Sequence, residues 1–244
     1  MNNIYIYNNN LFSLLSLIIY LIDNCIKPYD IKNCDYNPTL FDNIIKLNIN
    51  YNKDIIKNIN KMVLKYIIDV FLSNNLNKEI IIYYFYKNYL KYGIKVIYMY
   101  NLNCVNHVIK ISKYVRNEAH KYKGFIRFKE LENKVLFAEI EPVNNILPLI
   151  SKHFKKRLCN EYFIIKDNTY GLICIYAKNN LEILSQEEII INTEIYSKDE
   201  EKYQNMWKCF YNTISIKSRL NERCRMNFMP KRYWKYLIEM SDEI

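Results

Sequence analysis

The chain has 244 residues and a formal net charge of +10, with 50% hydrophobic and 25% charged residues. That length supports one large domain or two small ones, and the balance excludes wholesale disorder. Three Gly and five Pro exclude collagen-like or flexible-linker character and any Gly-rich phosphate loop.

Ile (39), Asn (34), Lys (28) and Tyr (24) make up about half the chain, the bias an AT-rich coding sequence gives. Surface Lys and Asn therefore carry little information. Arg occurs seven times, all between Arg116 and Arg232, and in a chain that defaults to Lys it marks places where a planar fork is needed.

The opening reads as a strand, with Ile4 and Ile6 alternating with Tyr5 and Tyr7, then a buried amphipathic helix over Leu11–Ile22. That apolar run is about a dozen residues, against roughly 20 for a membrane span, and no Lys or Arg precedes it as in a signal peptide. No membrane association and a cytoplasmic location are expected. Irregular chain follows, punctuated by Pro28 and Pro38. Ile55, Ile56, Ile59, Val63, Ile67, Val70 and Phe71 then predict a helix from Asn52 to about Ser73. Another is predicted over Lys78–Tyr92, with Gly93 just past its end. A third, Asn103–Lys123, carries the apolar stripe Val105, Val108, Ile111, Val115, Ala119 and Tyr122. Residues 1–100 are thus mainly helical, and 101–244 form an α+β basic region, either a second domain or the continuation of one.

Beyond Gly124 the texture becomes strand-like. Strands are predicted at Phe125–Lys129, Lys134–Ile140, Tyr162–Lys166, Leu172–Tyr176 and Leu181–Leu184, with a short helix over Ile146–Phe154. Their hairpin spacing points to one antiparallel sheet of about five strands framed by helices, an α+β fold. A helix with a core face of Tyr203, Met206, Trp207, Phe210 and Ile214 follows, and Pro230 opens a last helix with Trp234, Leu237 and Ile238 inside.

Charge is clustered. Residues 107–129 and 213–236 each hold seven basic residues and one acidic, whereas 182–201 holds seven acids and one Lys. Lys113, Arg116, His120 and Lys123 share a helix face that Arg127 extends. Such a stripe suits phosphates, or it is a solvated face with Arg116 and Arg127 in ion pairs. Near the C-terminus, Lys217, Arg219, Arg223, Arg225, Lys231 and Arg232 are interleaved with Phe228, Tyr233 and Trp234, a mixture of charge and stacking surface that holds single strands. Arg157 lies one turn after His153. The candidate nucleic-acid contacts are therefore Lys113, Arg116, Lys123, Arg127, Arg157, Arg219, Arg223, Arg225, Lys231 and Arg232.

Acid–base chemistry has fewer candidates. Glu139 and Glu141 share one face at a strand end, where they could bind a metal, act as acid and base, or simply pair with the Arg set and hold it in place. His120, His153 and Asp167 complete the catalytic candidates, with Asp167 equally able to cap its turn. The seven Cys include no Cys-x-x-Cys pair, so no metal or cofactor is expected, and the thiols are expected reduced. Walker, dinucleotide, His-Glu-x-x-His and Gly-x-Ser-x-Gly motifs are absent, which disfavours nucleotide hydrolysis, dinucleotide redox chemistry and lipase-type acyl transfer.

Several stretches together resemble a known family. They are Val115–His120, Gly124–Phe128, Ala138–Pro142 continuing through Asn145–Leu149, His153-Phe154 with Arg157, Ile164–Asp167 and Phe228–Lys235, with Tyr36–Asp42 near the start. The chain is similar to the bacterial "probable DNA metabolism" or putative DNA-repair proteins, built on a domain of unknown function. Members are typically encoded beside a radical S-adenosylmethionine (radical SAM) protein thought to act on DNA, and the domain also occurs fused to uracil-DNA-glycosylase-like proteins. The resemblance implies a DNA-binding accessory protein whose partners are DNA and a radical SAM DNA-modification or repair protein. The alternatives are a uracil-DNA-glycosylase-like or hydrolytic enzyme on damaged DNA, and a protein–protein adaptor without DNA contact. The chain departs from the family at Phe163, where a Trp is familiar, and at Asn168-Thr169-Tyr170, where an Arg is.

Overall fold

A computed structural model describes residues 2–47, 53–188, 196–219 and 221–243. Asn52, the expected start of the first long helix, and residues 189–195, part of the acidic stretch, lie outside them. The chain divides into two compact units, Met1–Arg116 and Asn117–Ile244.

The first unit packs helices on a small parallel sheet. Strands β1 (Asn2–Tyr7), β2 (Asp30–Asn33) and β3 (Asp42–Lys46) take the order β2-β1-β3. Helix α1 (Leu11–Asp23) starts where Asn10 accepts the Ser13 backbone N–H at 2.8 Å, and it buries Leu14, Leu15, Leu17, Ile18 and Leu21 completely or nearly so. Strands β2 and β3 occupy the stretch expected to be irregular. Parallel strands need no hairpin turn, and four or five residues are too few to show a period of two. The expected helix over 52–73 is a 3-10 turn, Lys53–Asn58, followed by α2 (Lys61–Phe71). The break falls where Asn60 caps α2 through the Met62 N–H at 2.9 Å. Helix α3 (Lys78–Tyr92) ends at Gly93, whose φ of +61° lies in the region that only glycine enters without strain. Helix α4 (Asn103–Phe125) contains the division between the units.

The second unit is built on a five-stranded sheet. Its strands are β4 (Lys129–Glu130), β5 (Leu136–Ile140), β6 (Phe163–Asp167), β7 (Leu172–Ala177) and β8 (Asn180–Ser185), in that order. The fold is the α+β arrangement expected, a mostly antiparallel sheet flanked by helices, with a more helical N-terminal part. One pairing departs from the expectation: β5 and β6 are parallel, and the crossover such a pair requires is α5 (Leu147–Arg157). Phe163, Ile165 and Tyr176 are buried on the α5 side, where Phe154 meets Phe163.

Helices α6 (Glu200–Ile214) and α7 (Glu222–Phe228) follow, then two 3-10 segments, Lys231–Tyr236 and Ile238–Glu243, in place of the expected last helix. Trp234 and Leu237 are buried as expected. The core face expected on α6 is solvent-exposed instead: Tyr203, Met206, Phe210 and Ile214 are each more than half exposed. Helical periodicity reveals an apolar stripe but not whether another element covers it.

Candidate functional site

The β5–β6 register separates the acid–base candidates. Glu139 pairs with Lys166, and Ile140 pairs with Asp167. Laterally paired residues point to the same face and successive residues to opposite faces, so the sheet stands between Glu139 and Asp167.

On one face, Glu139 Oε1 lies 3.6 Å from Lys166 Nζ and accepts from Asn168 Nδ2 at 3.3 Å. Glu141, just beyond the strand, accepts from Lys235 Nζ at 2.6 Å, a contact that holds its carboxyl below the usual range. Both carboxylates thus have lysine partners.

On the other face, Asp167 is fully buried. Its Oδ1 accepts the backbone N–H groups of Thr169 (2.9 Å) and Tyr170 (3.1 Å), the turn-capping role open to it from the sequence. Among the described residues its Oδ2 has no hydrogen-bond partner. Burial, together with the nearby charge of Glu118, pushes its pKa up to about 6.

Glu118 on α4, also buried, is a hub the sequence reading did not single out. It accepts the backbone N–H of Val143 (3.0 Å) and Asn144 (2.9 Å), the Asn144 side-chain amide (2.6 Å) and Arg232 Nη2 (3.3 Å). The available signal was that Glu118 is the one acid within the basic stretch 107–129. Tyr170 donates to the Val143 carbonyl at 2.7 Å and closes the corner. These contacts tie α4, the segment after β5, the β6–β7 turn and the C-terminal 3-10 segment together.

The rare arginines fall into two groups. Three are held by interior carboxylates. Arg116 grips Asp69 through Nε (2.6 Å) and Nη2 (2.7 Å), and Asp69 also accepts from Ser112. Arg127 forks onto Glu239 and lies 5.1 Å from the Trp207 ring centroid. Burial pushes Glu239 up, but the hydrogen bonds from Arg127 and Trp207 outweigh it and leave the carboxyl below its ordinary range. Arg232 binds Glu118 and stacks on Tyr233. The three carboxylate side chains are at most 3% exposed. These guanidinium groups staple the fold, as the ion-pairing alternative for Arg116 and Arg127 anticipates.

The second group faces solvent. Arg157, Arg219 and Arg223 are exposed, and among the described residues none has an ion pair. Arg225 and Lys231 lie over the Trp234 ring at 5.0 and 5.6 Å. Lys113 and His120 are exposed on α4. The structure does bring together Lys123, His153 and Arg157: partial burial and the positive charges of Lys123 and Arg157 hold the His153 imidazole below its usual pKa.

Residues 76–239 match DUF4130, a domain of unknown function. The chain belongs to the DUF4130 family. No curated protein and no solved structure matches it. The DUF4130 match contains α3 to α7 and both partners of the Arg232–Glu118 and Arg127–Glu239 pairs. Among the described residues of this DUF4130 protein, no helix is long and apolar enough to cross a membrane, and no group of three or more His, Cys, Asp or Glu is placed to hold a metal ion.

Proposed function

We propose that this DUF4130 protein is a nucleic-acid-binding accessory of DNA repair or DNA metabolism that works beside a radical SAM partner. The carrying observation is the grouping of Lys123, His153 and Arg157 at the end of α4 and on α5. Beside the effect of burial, the charges of Lys123 and Arg157 disfavour a third cation at His153, and among the described residues neither of the two forms an ion pair. Cations free of an ion-pair partner can neutralise backbone phosphates and release the counterions condensed on them, which is what drives phosphate-backbone binding. Exposed Arg219, Arg223 and Lys231 add charge along the C-terminal stretch.

The DNA setting and the radical SAM partner rest on the family resemblance at Val115–His120, Ala138–Pro142 and Phe228–Lys235. The exposed α6 stripe supports a protein partner, since contiguous exposed apolar surface marks docking sites. An enzyme using His120, Glu139, Glu141, His153 and Asp167 in one acid–base site receives no support, because the sheet separates Asp167 from Glu139 and Glu141.

The test is fluorescence anisotropy with single- and double-stranded oligonucleotides over a KCl series. Binding that weakens linearly in log salt supports the proposal. Absence of binding at low salt, or affinity indifferent to salt, overturns it.

A further inference from the structure

A cavity of about 300 Å³ opens in the second unit on the sheet face that carries Glu139. Its apolar floor includes Phe137 and Leu237. Its polar groups are Arg127, Lys129 on β4, Glu139 on β5, Gln204 on α6, and Lys235 and Tyr236 on the C-terminal 3-10 segment, with the ring of Tyr196 alongside; Arg127 is already committed to Glu239 and Lys235 to Glu141.

The unmet bonding capacity of these groups defines a ligand. Lys129 Nζ lies 5.4 Å from the Tyr196 ring centroid and has no ion pair among the described residues. It is a cation awaiting an anion. The contacts of Glu139 fall on Oε1, which leaves Oε2 as an acceptor at the cavity. Gln204 spends one amide N–H on Glu200 at 2.7 Å, which leaves its carbonyl oxygen as an acceptor and one further N–H. Two acceptors, one uncompensated ammonium and two tyrosine rings match a flat ring with N–H donors at its edge that is joined to an anion.

We propose that this cavity binds one nucleotide. The base lies against the tyrosine rings and donates to Glu139 and Gln204, and Lys129 holds the phosphate. The volume sits at the lower end for small-ligand sites, which admits one nucleotide and not two. The inference rests on the nucleic-acid reading above and deepens it: the natural occupant is a nucleotide turned out of a strand, whose exposed edge and face are available to such a pocket. A free mononucleotide offers the same chemistry, so the experiment separates the two sources.

Calorimetric titrations of the full chain use dGMP, deoxyguanosine and deoxyribose 5-phosphate, alongside anisotropy with a single-stranded oligonucleotide. The expected result is that dGMP binds more tightly than either fragment. Lys129→Ala should weaken dGMP binding roughly tenfold, the loss of one charge-assisted contact, and Glu139→Gln should weaken deoxyguanosine without altering deoxyribose 5-phosphate. Both variants should unfold at the parent temperature, since neither side chain is buried. Oligonucleotide binding with no dGMP binding overturns the pocket and leaves the nucleic-acid reading standing. A Lys129-dependent dGMP site with no oligonucleotide binding at low salt keeps the pocket as a free-nucleotide site and overturns the strand reading. Binding of deoxyribose 5-phosphate as tight as dGMP overturns the base contacts and with them the proposal.

Discussion

Glu139 and Asp167 occupy adjacent rungs of the parallel β5–β6 ladder and point to opposite faces of the sheet. One ends beside lysines at a cavity. The other ends in a closed corner with an unpaired oxygen. Their chemistry differs accordingly, although both are strand-end carboxylates followed within four residues by a breaker, Pro142 after Glu139 and Gly171 after Asp167.

Asp167 should make stability depend on pH. Its folded pKa of about 6 exceeds the roughly 3.9 of an unfolded aspartate. Between these values the folded chain keeps a proton that the unfolded chain releases, so stability falls as pH rises through the window. The loss is complete above about pH 6 and amounts to about 3 kcal/mol. Asp167→Asn keeps the Oδ1 acceptor for Thr169 and Tyr170 and removes the ionisation. Urea unfolding at pH 4.5 and 7.5 should show a flatter profile for the variant, with a gain in stability at the higher pH. An unchanged profile would show that Asp167 does not titrate in this range.

Glu118 should matter more than its arginine. Glu118→Ala strands one buried and one part-buried backbone N–H together with the buried Asn144 amide, and leaves Arg232 without its carboxylate, a loss of about 3–5 kcal/mol. Arg232→Ala leaves Glu118 with all three of its N–H donors and should cost about 1–2 kcal/mol. Equal losses in denaturant titrations would refute the hub role. A double-mutant cycle should give less than the sum, because the two residues share one contact.

Much of the architecture was legible from the chain. Helix α3 ends at Gly93 as its sequence indicates, and β6, β7 and β8 lie within a residue or two of their expected bounds, because alternation and turn residues are local signals. Strands β2 and β3 were not legible, since a short parallel strand takes its partner from distant sequence. The parallel β5–β6 pairing is hidden for a related reason: hairpin spacing elsewhere in the sheet conceals the one crossover, and with it the side each carboxylate faces. Scarcity did mark Arg116, Arg127 and Arg232 as special. It could not say whether the fork meets phosphate or an interior carboxylate, because the geometry required is the same for both.

Arg116 and Arg157 should therefore behave oppositely. Arg116→Ala leaves the fully buried Asp69 carboxylate without its cation and should cost about 3–5 kcal/mol of stability. Its effect on the salt dependence of DNA binding should be nil. Arg157→Ala should leave stability within about 0.5 kcal/mol and lower the slope of log affinity against log salt by about 0.9 on duplex DNA. Lys123→Ala should do the same. Thermal unfolding and an anisotropy salt series on the three variants check all of these at once. A slope change confined to Arg116→Ala would reverse the assignment of structural and binding arginines.

The exposed stripe of α6 yields the last contrast. Phe210 is 52% exposed and touches Trp207, whereas Phe163 is fully buried between Phe154 and Tyr176. Phe163→Ala should cost about 3–5 kcal/mol, as removal of a core ring leaves a cavity. Phe210→Ser in the isolated chain should cost under about 1 kcal/mol, because most of that ring is already in water. If the stripe docks a protein, Phe210→Ser and Met206→Ser should weaken co-purification with the radical SAM partner while oligonucleotide affinity stays at the parent value. A large stability loss from Phe210→Ser would mean that α6 packs its apolar face inward after all, and the stripe would no longer support a docking role.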